Sequence, residues 1–247
     1  WVMQDAKGQG AAISHSITCS TALHALLNGI AWLHADMAEG FLVGGSEAPL
    51  TPFTLAQMKA LKIYGSFGDT YPCLPLLLEK HKNTMVLGEG SAVFAIEKGD
   101  KPNALATIIG IGYATEVITH PVAISPEAEA LQRSMRQALQ GMNPTEVDVV
   151  IPHCTGTIKG DEAEYHALRE VFGENLPLLT SNKWKIGHTF ASSGALALEM
   201  AVLMLQYQQF LAVPYLPQTS PRPLKKILVN ATGFGGNAVS VLLSLPQ

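Results

Sequence analysis

Cys19 stands in Ile17-Thr18-Cys19-Ser20-Thr21-Ala22, at the end of an apolar approach and the start of a run with helical spacing. A thiol at a helix start faces unpaired backbone N–H groups and the positive end of the helix dipole, which favours the thiolate. The same N–H groups can hold an oxyanion when a thiolate attacks a thioester. A small cysteine packed at a helix start is also a common structural residue, so Cys19 alone assigns nothing. His153, in Pro152-His153-Cys154-Thr155-Gly156-Thr157, directly follows the apolar run 147–151. His188, in Asn182-Lys183-Trp184-Lys185-Ile186-Gly187-His188, again falls after an expected strand and just before an expected helix. Open α/β sheets place ligands beyond the carboxyl ends of their parallel strands. Two histidines at equivalent strand ends can therefore converge on one crevice with the cysteine. Gly233-Phe234-Gly235-Gly236 holds three glycines in four residues, which permits positive φ and close backbone approach to a ligand. A tight hairpin would use the same residues.

Periodicity supplies the elements that must position these groups. Apolar residues at 22, 23, 26, 27, 30 and 33 predict a helix over 20–33. A buried strand is expected at 41–43, a short helix from Pro52 through 61, and a strand at 91–97. Residues 64–83, rich in Gly, Pro and Lys, read as an excursion. After a turn at 99–103 a more regular series follows: strand 106–111, helix 126–139, strand 147–151, helix 161–172, strand 178–180, helix 190–207, and strands 227–230 and 238–243. This βαβαβαββ order is an α/β pattern that needs a largely parallel sheet covered on both faces. The first series ends the same way but lacks the preceding βαβαβ. The expectation is two duplicated halves: residues 1–103 as the remainder of an N-terminal half carrying the nucleophile, and 104–247 as a C-terminal half carrying both histidines. A sheet stripped of inner strands exposes its edges, and the chain opens on Trp1 rather than Met. A missing N-terminal segment is therefore expected. A smaller complete α/β domain with an irregular N-terminal appendage is the alternative.

Composition narrows the class. The 247 residues are 47% apolar and 15% charged, ample for a large core. With 16 Lys and Arg against 20 Asp and Glu, and no basic stripe, a nucleic-acid partner is not expected. The apolar stretch 195–205 is interrupted by Glu199 and is too short to span a bilayer. Cys19, Cys73 and Cys154 are odd in number and widely spaced, which argues against a disulfide framework and for a reducing cytoplasm. No histidine pairs with a cysteine or acid at zinc-ligand spacing, so no metal is expected.

Read as an ordered set, T-C-S-T at Cys19, H-C-T-G-T at His153, N-K-W-K-I-G-H from Lys183 to His188 and the G-F-G-G loop resemble the β-ketoacyl synthases. These are the elongating condensing enzymes of Cys-His-His type in the thiolase superfamily. Val43-Gly44-Gly45-Ser46-Glu47 and Leu87-Gly88-Glu89-Gly90 are similar to the family's segments between the cysteine and the first histidine. The similarity runs over nearly the whole chain and matches the C-terminal portion of such an enzyme. It implies a thiolase-like layered fold of two duplicated βαβαβαββ halves, the first incomplete here.

It also implies an activity: decarboxylative Claisen condensation of malonyl, carried on an acyl carrier protein, with an acyl group on Cys19. His153 and His188 would stabilise the malonyl enolate, and Lys183 would order the site and supply positive charge. The backbone N–H groups of Cys19 and Phe234 would form the second oxyanion hole, with Phe234 gating the acyl pocket. Thr155 and Thr157 match hydroxyls that hold the pantetheine arm, beside the substrate-facing Gly235 and Gly236. Asp161 and Glu164 match acids with a structural role. No cofactor is implied beyond the carrier's phosphopantetheine, and the implied partners are acyl carrier protein and a second synthase-like subunit, identical or not.

Several residues depart from the family pattern. Cys154 replaces a usual Gly, Thr232 a common aromatic, and Ala197 a frequent Glu that Glu199 stands too late to substitute. The excursion 64–83 lacks the family's basic-aromatic-acidic run. These departures suggest a dedicated pathway, of polyene or aryl-polyene pigment type, rather than housekeeping fatty-acid synthesis. Three rival classes would each differ at a named residue. A chain-length-factor-like subunit would lack the nucleophile. A thiolase would carry a further cysteine where Phe234 stands, and a Cys-His-Asn synthase would have Asn near position 188.

Overall fold

The computed structural model describes residues 2–8, 10–65, 68, 70–99, 101–120, 123, 125–216, 218 and 223–246, with the backbone alone of residue 2. Trp1 and parts of the expected excursion 64–83 and turn 99–103 lie outside the described residues. After a short helix α1 (Val2–Asp5), the chain reaches α2 (Thr21–His34), which buries Ala22, Leu23, Leu26 and Leu33 along one face. That is the stripe its spacing predicts. Next come β1 (Gly40–Glu47), α3 (Pro52–Ala60) and β2 (Gly90–Glu97). Helix α3 starts where expected because Pro52 fits the first turn and Thr51 Oγ1 accepts from Thr54 N at 3.2 Å.

Strands β1 and β2 pair antiparallel, Val43 opposite Phe94, as a two-stranded ribbon. The ribbon corrects the expected buried strand at 41–43. Side chains alternate across it, so Val43 is buried while Leu42 is 48% and Val93 59% exposed on the other face.

The second series comprises β3 (Thr107–Thr115), α4 (Glu129–Ala138), β4 (Val149–Ile151), α5 (Ile158–Phe172), β5 (Leu178–Leu179), α6 (Lys183–Ile186), α7 (Ser193–Tyr207), β6 (Lys226–Gly233) and β7 (Asn237–Ser244). Its strands form one sheet in the order β3-β7-β6-β4-β5. Pairings β6–β4 and β4–β5 are parallel, while β3–β7 and β7–β6 are antiparallel. Four strands thus point one way and β7 is reversed, because a three-residue turn between Gly233 and Asn237 folds it straight back on β6. The expected largely parallel sheet is in fact mixed.

Strand alternation builds a core on each face of the sheet. Val149, Ile151, Ile227, Val229, Val239 and Val241 join Leu198, Ala201 and Leu205 of α7 and Leu23 and Leu26 of α2. Their neighbours Val150, Leu228, Ala238 and Leu242 face Leu131 and Met135 of α4 and Ala167 and Leu168 of α5. Each such side chain contributes roughly 1.5–3 kcal/mol when fully buried. Helix α7 with its lead-in, Phe190–Tyr207, is 18 residues long with mean hydropathy 1.3. By length and composition that run is apolar enough to cross a membrane, longer than the expected 195–205, and half of it is buried inside the protein.

Candidate active site

Cys19 sits in a 3-10 turn, Thr18–Ser20, that leads into α2. The turn is held from two sides. Thr21 Oγ1 donates to Thr18 O (2.7 Å) and accepts from Ile17 N (2.9 Å). Ser20 Oγ donates to Asn237 Oδ1 (2.5 Å), and Asn237 Nδ2 donates to Phe234 O (3.1 Å). The nucleophile turn is therefore tied to the glycine loop. A Cβ at Gly233 would lie 2.2 Å from Thr18 Oγ1 and 3.0 Å from Ile17 O, so glycine lets the two turns approach this closely.

The Cys19 thiol does not behave as the helix-start argument expects. Burial pushes it up to about 12, against the opposing pull of the Lys183 charge. Desolvation of the anion by the surrounding protein outweighs a partial charge at a helix end. The resting group is a thiol.

Both histidines arrive at the same place. His188 Nε2 lies 3.1 Å from Cys19 Sγ, and the His153 and His188 rings meet edge to face with centroids 5.2 Å apart. One ligand-type atom from each of Cys19, His153 and His188 lies within 4.8 Å of the others. Such a set could hold a soft cation, a grouping that sequence spacing hides because it comes from three separate segments. Burial, with the positive charge of Lys183, lowers His188 to about 3. Burial, Lys183 and the neighbouring His188 hold His153 well below the usual 6.5. Both rings are neutral, the form in which one nitrogen donates and the other accepts. His188 Nδ1 is buried with no hydrogen-bond partner among the described residues.

The backbone around each histidine is fixed. His188 N donates to Val86 O (2.7 Å) and its carbonyl accepts from Gly88 N (3.0 Å). Gly88 allows this contact, since a Cβ there would lie 1.8 Å from Ile186 O. The loop after β4 is gripped by two carboxylates from the first turns of α5. Glu164 accepts from His153 N (2.8 Å) and Cys154 N (2.6 Å), and Asp161 Oδ1 accepts from Gly156 N (3.1 Å). Lys183, fully buried at the start of α6, has its pKa lowered by burial, while Glu164 pulls it back up.

These groups wall a cavity of about 570 Å3. Cys19, His153, His188, Thr155, Thr157, Phe234 and Gly236 line it, as does Thr232. Lys183 lies buried close enough to act on Cys19 and both rings through its charge, and Gly235 is exposed in its turn. Cys154 is buried, and its thiol is pushed well above the ordinary value by burial and by Asp161 and Glu164. Met58, Leu61, Ile63, Met85 and Phe190 add an apolar wall that the sequence reading did not assign. It also missed Lys80, whose Nζ lies 2.9 Å from Asp161 Oδ2. Its only signal was position, one of the lysines of an excursion that lacks the family's basic-aromatic-acidic run.

Residues 2–101 match the β-ketoacyl synthase N-terminal domain and residues 105–215 its C-terminal domain. A putative polyketide β-ketoacyl synthase 1 of Streptomyces cyaneus is 28% identical over 262 residues, covering 96% of this chain and 61% of that protein. Among solved structures, a type II polyketide acyl-carrier protein in complex with its ketosynthase superposes with TM-score 0.86 at 22% identity, over all of this chain and 66% of that one. A ketosynthase in complex with its chain length factor from Xenorhabdus doucetiae gives TM-score 0.84 at 24% identity, over 99% of this chain and 62% of that one. The chain spans 53% to 61% of the length of the first curated relatives it matches.

Proposed function

The chain belongs to the β-ketoacyl synthase family and has its thiolase-like fold, and from that premise we propose that it performs decarboxylative Claisen condensation. Malonyl on acyl carrier protein would extend an acyl group held on Cys19, giving β-ketoacyl carrier protein in fatty-acid or polyketide and polyene synthesis. One observation carries this reading: a cysteine sulfur 3.1 Å from one neutral imidazole, with a second ring edge-on to the first, on the wall of one cavity.

The chemistry follows from what those groups can do. Acyl transfer breaks the donor's C–S bond and forms a new one to Cys19 Sγ, and the thiol proton passes to the departing carrier thiolate. Malonyl then loses carbon dioxide, and the electron pair of the broken C–C bond moves into an enolate. Charge accumulates on the thioester oxygen, and N–H groups of His153 and His188 aimed there stabilise it without reorganising. The enolate carbon attacks the acyl-Cys19 carbon, and its oxyanion falls to the backbone N–H groups of Cys19 and Phe234. Collapse of that intermediate breaks the C–S bond and returns Cys19, which takes a proton to become a thiol.

Lys183 supplies positive field from behind the wall, Thr155 and Thr157 hold the pantetheine arm, and Gly235 with Gly236 lets Phe234 open and close the acyl side. The reaction needs no resident metal and no cofactor beyond phosphopantetheine. Acyl carrier protein and a second synthase-like subunit, identical or different, are the proposed partners, in the cytoplasm. Residues 1–103 and 104–247 are proposed as parts of two duplicated halves, each contributing to the one site.

The test is acyl loading. Incubation with an acyl-carrier thioester should add one acyl mass to the peptide carrying Cys19, and Cys19→Ala should abolish condensation while malonyl decarboxylation persists. No acyl mass on Cys19 in the unaltered protein would favour the alternative, a non-catalytic chain-length-factor-like subunit.

A further inference from the structure

The loop that carries His153, Thr155 and Thr157 is held by Glu164 at the His153 and Cys154 amides and by three further bonds at Gly156. The Gly156 N–H donates to Asp161 Oδ1 (3.1 Å), and its carbonyl accepts from Thr84 N (2.8 Å) and Thr84 Oγ1 (2.9 Å). Thr155 O accepts from Cys73 Sγ (3.6 Å), and Ile158 N donates to Asn83 Oδ1 (2.9 Å). Cys73, Asn83 and Thr84 belong to the segment between α3 and β2, the one in which sequence showed no pattern. The second oxygen of Asp161 is held by that segment too: it accepts from Leu76 N (3.1 Å) and from Lys80 Nζ (2.9 Å). Lys80 also donates to Leu77 O (2.7 Å).

The Lys80 and Asp161 side chains are 3% and 0% exposed. A carboxylate buried to that degree needs a cation in contact, or it takes up a proton and loses acceptor capacity. Glu164 has the buried Lys183 charge beside it. Asp161 faces Lys80 in contact, Glu164 on its own helix, Lys183, the thiols of Cys73 and Cys154, and the Tyr215 hydroxyl. Burial raises the Asp161 carboxyl and Lys80 is the largest influence opposing it.

We propose that Lys80 is a positioning residue of the condensation: through its ion pair with Asp161 it holds the Gly156 amide, and with it His153, Thr155 and Thr157, at the cavity wall. Lys80 does not touch substrate. It acts through one carboxylate on the loop that does. The excursion, which lacks the family's basic-aromatic-acidic run, thus still delivers a buried cation to the site.

The inference rests on the condensation reading, and the experiment separates the two. Lys80→Gln and Lys80→Arg are compared in the full protein for Cys19 acylation, for kcat and KM with malonyl carrier protein across pH, and for hydrogen exchange at the Gly156 amide. Lys80→Gln should still acylate Cys19, only more slowly because the same loop holds the pantetheine arm, lower kcat about 10- to 100-fold, as sub-ångström to 1 Å misplacements do, and quicken exchange at Gly156. Its acid limb should move to higher pH, because Asp161 without its cation takes up a proton sooner as pH falls. Lys80→Arg should restore most of the rate, and Lys80→Gln/Asp161→Asn should abolish the shift of the acid limb. Lys80→Gln matching Lys80→Arg in rate, pH profile and Gly156 exchange would overturn the proposal. Failure of the unaltered protein to acylate Cys19 would instead strike the condensation reading, and the exchange measurement would still decide whether Lys80 orders the loop.

Discussion

His188 is bonded through both of its backbone atoms, N to Val86 O at 2.7 Å and O to Gly88 N at 3.0 Å. His153 stands on a loop whose amides at His153, Cys154 and Gly156 are taken by Glu164 and Asp161. Cys19, across the cavity, lies in a three-residue turn whose Thr18 has φ 48°, opposite a glycine turn with Gly235 at φ +100° and Gly236 at +73°. A left-handed threonine costs roughly 1–2 kcal/mol, and the ties between these two turns are side-chain bonds: Ser20 to Asn237, and Thr18 Oγ1 to Phe234 O at 3.4 Å. Rigid, bonded backbone is thus on the side that must present fixed dipoles to a developing enolate. Left-handed residues occur on both sides, with Gly156 at φ +87°, Gly187 at +76° and Phe190 at 42° beside the histidines, so what sets the Cys19 side apart is that its turn is tied to the glycine turn by side chains alone.

The strongest way to break that comparison is to remove the dipoles. His153→Ala and His188→Ala should each lower decarboxylation of malonyl carrier protein by about 100- to 1,000-fold, the loss seen for one preorganised oxyanion donor. Carbon dioxide release is the measurement. A variant that keeps near-normal release takes its histidine out of the mechanism and leaves the rigid wall without a purpose.

A pair of glycine variants sharpens the contrast. Gly88→Ala places a Cβ 1.8 Å from Ile186 O, and Gly233→Ala places one 2.2 Å from Thr18 Oγ1. The first presses on the backbone behind His188 and should lower decarboxylation. The second presses on the turn that carries Cys19 and should lower acylation, leaving decarboxylation nearer to normal. Displacements of this size are worth about 10- to 100-fold. Equal loss of both half-reactions in both variants would mean that the two walls move as one body.

The two walls were unequally legible in the sequence. Helix α2 and the strands leading to the histidines were readable because their apolar periods are long or bounded by Gly and Pro. The G-F-G-G turn was visible, but the sheet was expected to be largely parallel. The antiparallel β6–β7 pairing follows from the turn's length, three residues, which leaves no room for a crossover. Helix α6, four residues long, is too short for a period to register. Lys80 and Asp161 are 81 residues apart in sequence, and nothing local in a Gly- and Pro-rich stretch marks one of its lysines for burial. The apolar wall from Met58 to Met85 was missed because its residues come from the end of α3 and from the irregular segment after it, and only the fold brings them to one cavity. Dipole arguments, finally, are local and desolvation is not, which is why the thiolate expected at Cys19 gives way to a thiol once the fold closes around it.

That last reversal sets the smallest expected effect. With the Cys19 thiol pushed up to about 12 and His188 lowered to about 3, proton transfer from sulfur to imidazole is unfavourable and the resting pair is neutral. The thiolate fraction below the pKa rises tenfold for each pH unit, and alkylation follows the thiolate. The rate of Cys19 alkylation by iodoacetamide should therefore climb by about tenfold per unit from pH 7 to 10 with no plateau. His188→Gln, which keeps a polar group of similar size beside the sulfur, should leave that slope unchanged. A plateau beginning near neutral pH, lost in His188→Gln, would reveal a thiolate–imidazolium pair. The nucleophile side of the cavity would then hold a charge of its own, and the division between a wall that stabilises charge and a wall that makes bonds would no longer stand.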